Sequence, residues 1–203
     1  VVAKPKKKAT KATQPSRSQR QAEQIVENMV KAQGGRALLS KVFSVHATGT
    51  TKLETPIGER VGVITTFAIK PNYQRAEISI AGQKIIQVFY PGGGWLQQGS
   101  MILRMPKTML DLANSQSVRS DLELRYRRDK IKVALKGTKF LRNIDCYIIE
   151  FTDTKGRKTT YLINRKTWLP VQHSYRGPSL QGVGKATFTT FQSDFRWIMV
   201  PKL

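Results

Sequence analysis

KGTKFLRNIDCYIIEFTDTKGRKTTYLINRKTWLPVQHSYRG, residues 136–177, decides the fold. Ile144 to Thr152 is apolar and rich in β-branched and aromatic residues, which fit a pleated surface. Thr154-Lys155-Gly156-Arg157 is a turn, and Lys158 to Ile163 is the return strand. Asn164-Arg165-Lys166-Thr167 is a second turn, and Trp168 to Tyr175 is a third strand. Gly and Asn tolerate the positive φ that tight hairpins need. No catalytic pattern lies in this meander. It is a wall, with Tyr147, Ile149, Phe151 and Tyr161 expected on its inner face, and the functional question is what that face holds.

Upstream, Ile131, Val133 and Leu135 alternate with Lys130, Lys132, Ala134 and Lys136, a half-buried strand over Asp129 to Lys136. Met101 to Leu124 interrupts the β pattern. Pro106 opens a short amphipathic helix there, with Met109, Leu110, Leu112 and Ala113 along it. Before it the period is two. Strands are expected over Val42 to Leu53, Glu59 to Lys70, Tyr73 to Ile80, Lys84 to Tyr90 and Trp95 to Gln98. In the second of these, Val61, Val63, Phe67 and Ile69 share one face, and Gly62, Ile64, Thr66 and Ala68 the other. Ala76, Ile78 and Ile80 oppose Arg75, Glu77 and Ser79 in the third. A last long strand spans Lys185 to Trp197, with Phe191, Phe195 and Trp197 on one face.

The chain's first helix reads from Ser18 to Gln33, capped by Ser18 with Gln21 completing the box and ended by Gly34-Gly35. Ala22, Ile25, Val26, Met29 and Val30 form its apolar stripe, and Arg36 to Lys41 is a second helical piece. Residues 1–19 read as a disordered basic tail: Lys4, Lys6, Lys7, Lys8, Lys11 and Arg17 have no balancing acid, and Pro5 and Pro15 break helices. Residues 20–203 read as a single domain.

The 203 residues carry a formal net charge of +22, which predicts attraction to polyanions: nucleic acid, anionic lipid headgroups or lipopolysaccharide. A single cysteine, Cys146, excludes an intramolecular disulfide and reads as a small buried hydrophobe. No apolar run approaches the roughly 20 residues of a spanning helix. The sequence starts at Val1 without Met, so an export signal already removed is the expectation.

Enzyme motifs are sparse. His46 and His173 both fall in strands, and neither HExxH nor CxxC occurs, so no metal site is expected. No GxSxG elbow is present. Gly182-Val183-Gly184-Lys185-Ala186-Thr187 lacks the upstream glycine and the following helix of a phosphate loop. No cofactor is implied. Arg125-Tyr126-Arg127-Arg128, Tyr73 with Arg75, Tyr175-Arg176 and Arg196-Trp197 interleave cations with aromatics, as single-strand nucleic-acid binders do. No RNP-like, KH-like or zinc-finger motif supports that alternative.

Order and motifs together resemble the LolA/LolB-like outer-membrane lipoprotein-sorting family. The likeness rests on the helix Ile25 to Leu38 with Gly34-Gly35, on Val42 to Gly49, on Lys70-Pro71-Asn72-Tyr73-Gln74-Arg75, on Val88 to Trp95, on the meander, and on Asp194 to Pro201. Pro91-Gly92 stands where that family often has Asp-Gly, and Asn164 where Asp is common.

The resemblance implies a mainly β fold with some α: an incomplete antiparallel β-barrel (half-barrel) covered by N-terminal and mid-chain helices. It further implies a non-catalytic periplasmic or cell-envelope carrier of lipid or lipoprotein acyl chains. The residues expected to face the apolar interior are Val61, Val63, Phe67, Ile69, Ile78, Ile80, Met109, Leu112, Ile131, Val133, Leu135, Ile149 and Phe151. Whether the helices fill that space as a core or roof it as a pocket is left open by the sequence, and so a structural envelope protein is a further alternative. The basic tail would meet an anionic membrane surface through Lys4, Lys6, Lys7, Lys8 and Lys11.

Overall fold

A computed structural model describes residues 16–55, 58–178 and 184–196, with the backbone alone for 52–55, 58 and 59. Helix α1 (Arg17–Ala32) buries Ala22, Ile25, Val26, Met29 and Val30, the stripe that its period dictates. Its cap is Ser16 and not Ser18: Ser16 is extended, and its Oγ accepts from the Gln19 N–H at 3.2 Å. Arg17 to Gln19 thus form the first turn of α1, while residues 1–15 of the expected tail lie outside the described residues. The Gly35 N–H donates to Val30 O at 2.9 Å and closes the helix, with Gly34 and Gly35 at φ of +108° and +86°. The short α2 (Arg36–Leu39) follows.

Next comes a six-stranded antiparallel meander, in sequence order: β1 (Ser44–Thr55), β2 (Gly58–Ile69), β3 (Tyr73–Ile80), β4 (Gln83–Tyr90), β5 (Gly93–Gln98) and β6 (Met101–Arg104). Strand β6 has no alternation in Met101-Ile102-Leu103-Arg104, which is why period two alone overlooks it. The helices α3 (Lys107–Ser117) and α4 (Leu122–Arg125) lead to a second antiparallel sheet of β7 (Lys132–Leu141), β8 (Ile144–Thr152), β9 (Lys158–Asn164), β10 (Pro170–Pro178) and β11 (Lys185–Phe191).

The β architecture is therefore open and antiparallel, with no closed barrel among the described residues. It is divided into two hydrogen-bonded sheets, one of six strands and one of five. Strand β7 runs past Lys136 because a bulge between Leu135 and Gly137 absorbs the break in alternation. Arg142 and Asn143, at φ of 47° and 64°, turn it tightly into β8. Strand β10 starts at Pro170 and not at Trp168. Asn164 Oδ1 accepts from the N–H groups of Lys166 and Thr167 at 2.8 and 3.1 Å, and the turn continues through Trp168 at φ of 62°. Strand β11 stops at Phe191; Phe195 lies beyond it and Trp197 lies outside the described residues.

The main core forms where α1 and α4 cover one face of the second sheet. Ala22, Ile25, Val26 and Met29 pack with Leu122 and Tyr126 against Ile131, Val133, Ile149, Phe151, Tyr161 and Ile163. Removing a side chain such as Phe151 or Ile149 from water stabilises by about 1.5–3 kcal/mol. Glu27 ties the helices together, accepting from Tyr126 Oη at 2.9 Å and pairing with Arg36 Nη2 at 2.8 Å. A smaller cluster of Cys146, Leu162 and Val171 lies on the other face, and Cys146 is fully buried.

Candidate functional site: the groove beneath α3

Strand register assigns the faces of the first sheet. Val45 pairs with Ala68, Gln74 with Ala68 and with Phe89, Ala76 with Thr66 and with Gln87, and Phe89 with Gly94. Helix α3 lies over this face. Between helix and sheet runs a groove of two joined lobes that share Gln74, Phe89, Ala113 and Gln116. One lobe, about 280 Å³, is bounded by Ala76, Met105, Met109 and Leu112. The other, about 310 Å³, is bounded by Phe43, Val45, Ala68, Pro71 and Ser117.

The groove exists because the residues under α3 are small. Ala68 and Ala76 leave room beside Phe89. A Cβ on Gly94 would stand 2.6 Å from Val88 O and 3.1 Å from Met105 Sδ, so only glycine lets Met105 close one end. Helix α3 is then tethered to both sheets. Just past its C-terminus, the Arg119 guanidinium stacks 4.5 Å from the Tyr175 ring centroid and donates to Arg176 O at 3.2 Å on β10. On the other side, Asn72 in the β2–β3 turn bonds Ser117, and Lys70 Nζ meets Asp121 Oδ2 at 2.9 Å. The Lys70-Pro71-Asn72 segment thus acts as a clamp between the first sheet and the helices.

The structure distributes the expected interior residues over three environments. Met109 and Leu112 line the groove. Ile78 and Ile80 share the groove face of β3, half-buried, beyond the part that α3 roofs. Ile131, Val133, Ile149 and Phe151 are sealed in the core beneath α1, with Leu135 packed at its edge. Val61, Val63, Phe67 and Ile69 are a correction. They lie on the opposite face of the sheet, 57, 50, 39 and 53 % exposed, although Ile69 at the strand end also reaches the rim of the groove. Alternation sorts residues into two faces but does not say which one is covered. The bulkier face of β2 turned out to be the uncovered one, because the space for a roofing helix requires the smaller side chains.

Across α3 from the groove lies a polar cavity of about 460 Å³, reached by Arg119, Glu123, Tyr161, His173 and Gln192. Burial raises the Glu123 carboxyl above the ordinary carboxylate range, and the Tyr161 hydroxyl approaches it at 3.5 Å. Burial also pushes the Tyr161 hydroxyl well up and lowers the His173 imidazole. Arg119 Nε and Gln192 Oε1 are buried without a hydrogen-bond partner among the described residues. None of this cluster was singled out from sequence except the two strand residues Tyr161 and His173, because Arg119 and Gln192 sit in irregular segments and Glu123 in the four-residue α4, none of them within a motif.

A wider cleft of about 680 Å³ is lined by charges that satisfy one another. Asp129 accepts from Arg125 and Arg128, and Asp153 is 2.6 Å from Arg157 Nε. The guanidinium contacts hold the Asp129 carboxyl low. In the cation–aromatic sequences Tyr126 and Tyr175 are buried and Arg75 pairs with Glu77, whereas Tyr73 is exposed. Among the described residues no three His, Cys, Asp or Glu side chains converge as metal ligands, and no helix is long and apolar enough to cross a membrane.

No family model matches the chain, and no curated protein matches it in sequence. Solved structures do resemble it. A DUF1329 family protein from Desulfovibrio piger is 15 % identical over 83 % of this chain and 76 % of its own, with a TM-score of 0.48. A Vibrio parahaemolyticus domain named for outer membrane lipoprotein sorting is 11 % identical over 88 % of this chain and 80 % of its own, at 0.49. A LolA superfamily protein from Nitrosomonas europaea is 16 % identical over 87 % and 79 %, at 0.46. At these identities the likeness concerns the course of the chain alone; it carries no ligand, partner or role with it.

Proposed function

We propose that this chain is a non-catalytic carrier that shields the acyl chains of a lipid or lipoprotein in the groove between the first sheet and α3. The observation that carries the reading is the groove itself. It is walled by Ala68, Ala76, Phe89, Met105, Met109, Leu112 and Ala113, and each lobe is near the lower end of the roughly 300–1,000 Å³ of small-molecule sites. The driving force is burial, at about 0.8 kcal/mol for each methylene removed from water. Methionines at the roof suit a cargo of variable shape, because their unbranched side chains repack readily. No bond is made or broken, and loading is reversible.

In this reading the two sheets are the halves of an incomplete barrel, α1 closes one half as a solid core, and α3 is the lid over the other. The protein works in the cell envelope, where lipid cargo needs an aqueous escort. Lys4, Lys6, Lys7, Lys8 and Lys11 hold it near anionic headgroups, each contributing about 1 kcal/mol close to the surface.

The test is native mass spectrometry of the purified protein, joined to titration with a fluorescent fatty acid. Co-purified lipid, or saturable uptake that a non-fluorescent fatty acid competes away, supports the carrier. A protein that holds no lipid and takes up no probe refutes it.

A further inference from the structure

The first sheet turns a second apolar surface to solvent, on the side away from α3 and the groove. Val61, Val63, Phe67 and Ile69 form a stripe along β2 there, and each is more than a third exposed. Phe67 stacks on His46 of β1 at 4.5 Å and pairs with Arg75 of β3. Tyr73, Tyr90 and Ile102 extend the same face, 52, 40 and 65 % exposed. Among the described side chains its charges are Arg75, Lys84 and Arg104, against the carboxylate of Glu77, which Arg75 and Lys84 share at 2.7 Å each. Monomeric proteins rarely leave contiguous apolar surface of this kind without a use.

The composition selects the occupant. The chain carries +22 overall, and the described charges of the face are net positive, so an anionic partner fits it. A nucleic acid would call for a platform of flat rings under successive bases. Here the centre is Val, Val and Ile with one Phe, surrounded by tyrosines and long cationic side chains. That order suits the boundary between acyl chains and headgroups: aliphatic groups enter, tyrosine rings rest at the interface, and Lys and Arg reach lipid phosphates. The geometry points to an anionic lipid bilayer as the partner of this face, with the β2 stripe set into the headgroup layer. The docking surface meets the groove only at the rim, where Ile69 and Tyr73 border one lobe, and Val61, Val63 and Phe67 lie on the opposite side of the sheet from it.

The experiment places an environment-sensitive NBD label at position 63, 65 or 66 by Val63→Cys, Thr65→Cys or Thr66→Cys, each in a Cys146→Ala background. The full chain is mixed with vesicles of phosphatidylcholine, with or without phosphatidylglycerol. The expected result is a blue shift at 63 and 65 but not at 66, only with the anionic vesicles. Val61→Asp with Val63→Asp, checked for native circular dichroism, weakens vesicle binding by at least about tenfold. Vesicle binding that leaves the labels at 63 and 65 in water assigns the attraction to the basic tail alone and overturns the proposal. A blue shift without vesicles also overturns it: a second copy covers the face if the shift grows with protein concentration, and another segment of the chain covers it if it does not. Absence of vesicle binding overturns it outright. Cargo uptake is not read in any arm, so failure here is distinct from failure of the carrier reading.

Discussion

Lys70 Nζ lies 2.9 Å from Asp121 Oδ2, joining the β2–β3 turn of the first sheet to the residue that precedes α4. Both side chains are about a third exposed, so the pair is worth at most about 1 kcal/mol to global stability. Its effect is positional, because it fixes the wall of the groove relative to the helices that roof it. Lys70→Ala is expected to shift the urea midpoint little, yet to raise amide exchange across 107–121 and to weaken uptake of a fluorescent fatty acid. Hydrogen exchange and probe titration on the same preparation check it.

Filling the groove separates uptake from folding. Ala113 lines both lobes, and Ala113→Phe places a ring where cargo would lie. Probe affinity is expected to fall about tenfold or more, with the fold retained. Val61→Ser, on the other face, leaves uptake unchanged. Equal loss in both variants would show that the probe binds elsewhere.

The sealed core responds differently. Phe151→Ala beneath α1 is expected to cost about 3–5 kcal/mol, because the cavity left behind cannot fully collapse. Val63→Ala on the exposed face stays within about 0.5 kcal/mol of the parent. Denaturant midpoints at constant slope give both numbers.

Glu123 gives the stability a pH slope. Burial raises its carboxyl, so the folded chain holds that proton more tightly than the unfolded chain does. Between the ordinary carboxylate value, about 4.3, and the raised folded one, the folded state binds more protons, and stability falls as pH rises through that window. Glu123→Gln is expected to flatten this fall. The lowered carboxylates act in the opposite sense. At Asp153, burial works to raise the carboxyl but is outweighed by hydrogen bonds from Arg157 and Lys155. The Asp153 contribution is therefore lost as pH drops through its folded value. Urea midpoints of parent and E123Q across the acid-to-neutral range separate the two.

Much of the architecture was legible because local chemistry and tertiary structure agree. The stripe of α1, its Gly34-Gly35 stop, the helix opened by Pro106 and most of the strands follow from spacing and turn residues. What failed was whatever depends on partners distant in sequence. The strand β6 has no periodicity of its own and is held by pairing with β5. The extent of β7 depends on a bulge that only its partner β8 reveals. At the site, Met109 and Leu112 were legible as one helical face. Val61, Val63, Phe67 and Ile69 were assigned to the wrong side, because hydrophobicity favoured the face that the roofing helix leaves bare. Arg119 acts through a stack on Tyr175, and no spacing rule foretells that contact.

The unequal burial of the two sheets has a mechanical consequence. The large side chains sealed from water cluster on α1, α4 and the second sheet, whereas between β1 and α3 the buried hydrophobic side chains among the described residues are Ala76, Phe89 and Met105. Opening free energies follow buried contact, so the first sheet and α3 form the softer tier. The groove is therefore where the fold opens first while its other half stays folded, with the rigid sheet as anvil and the soft one as jaw.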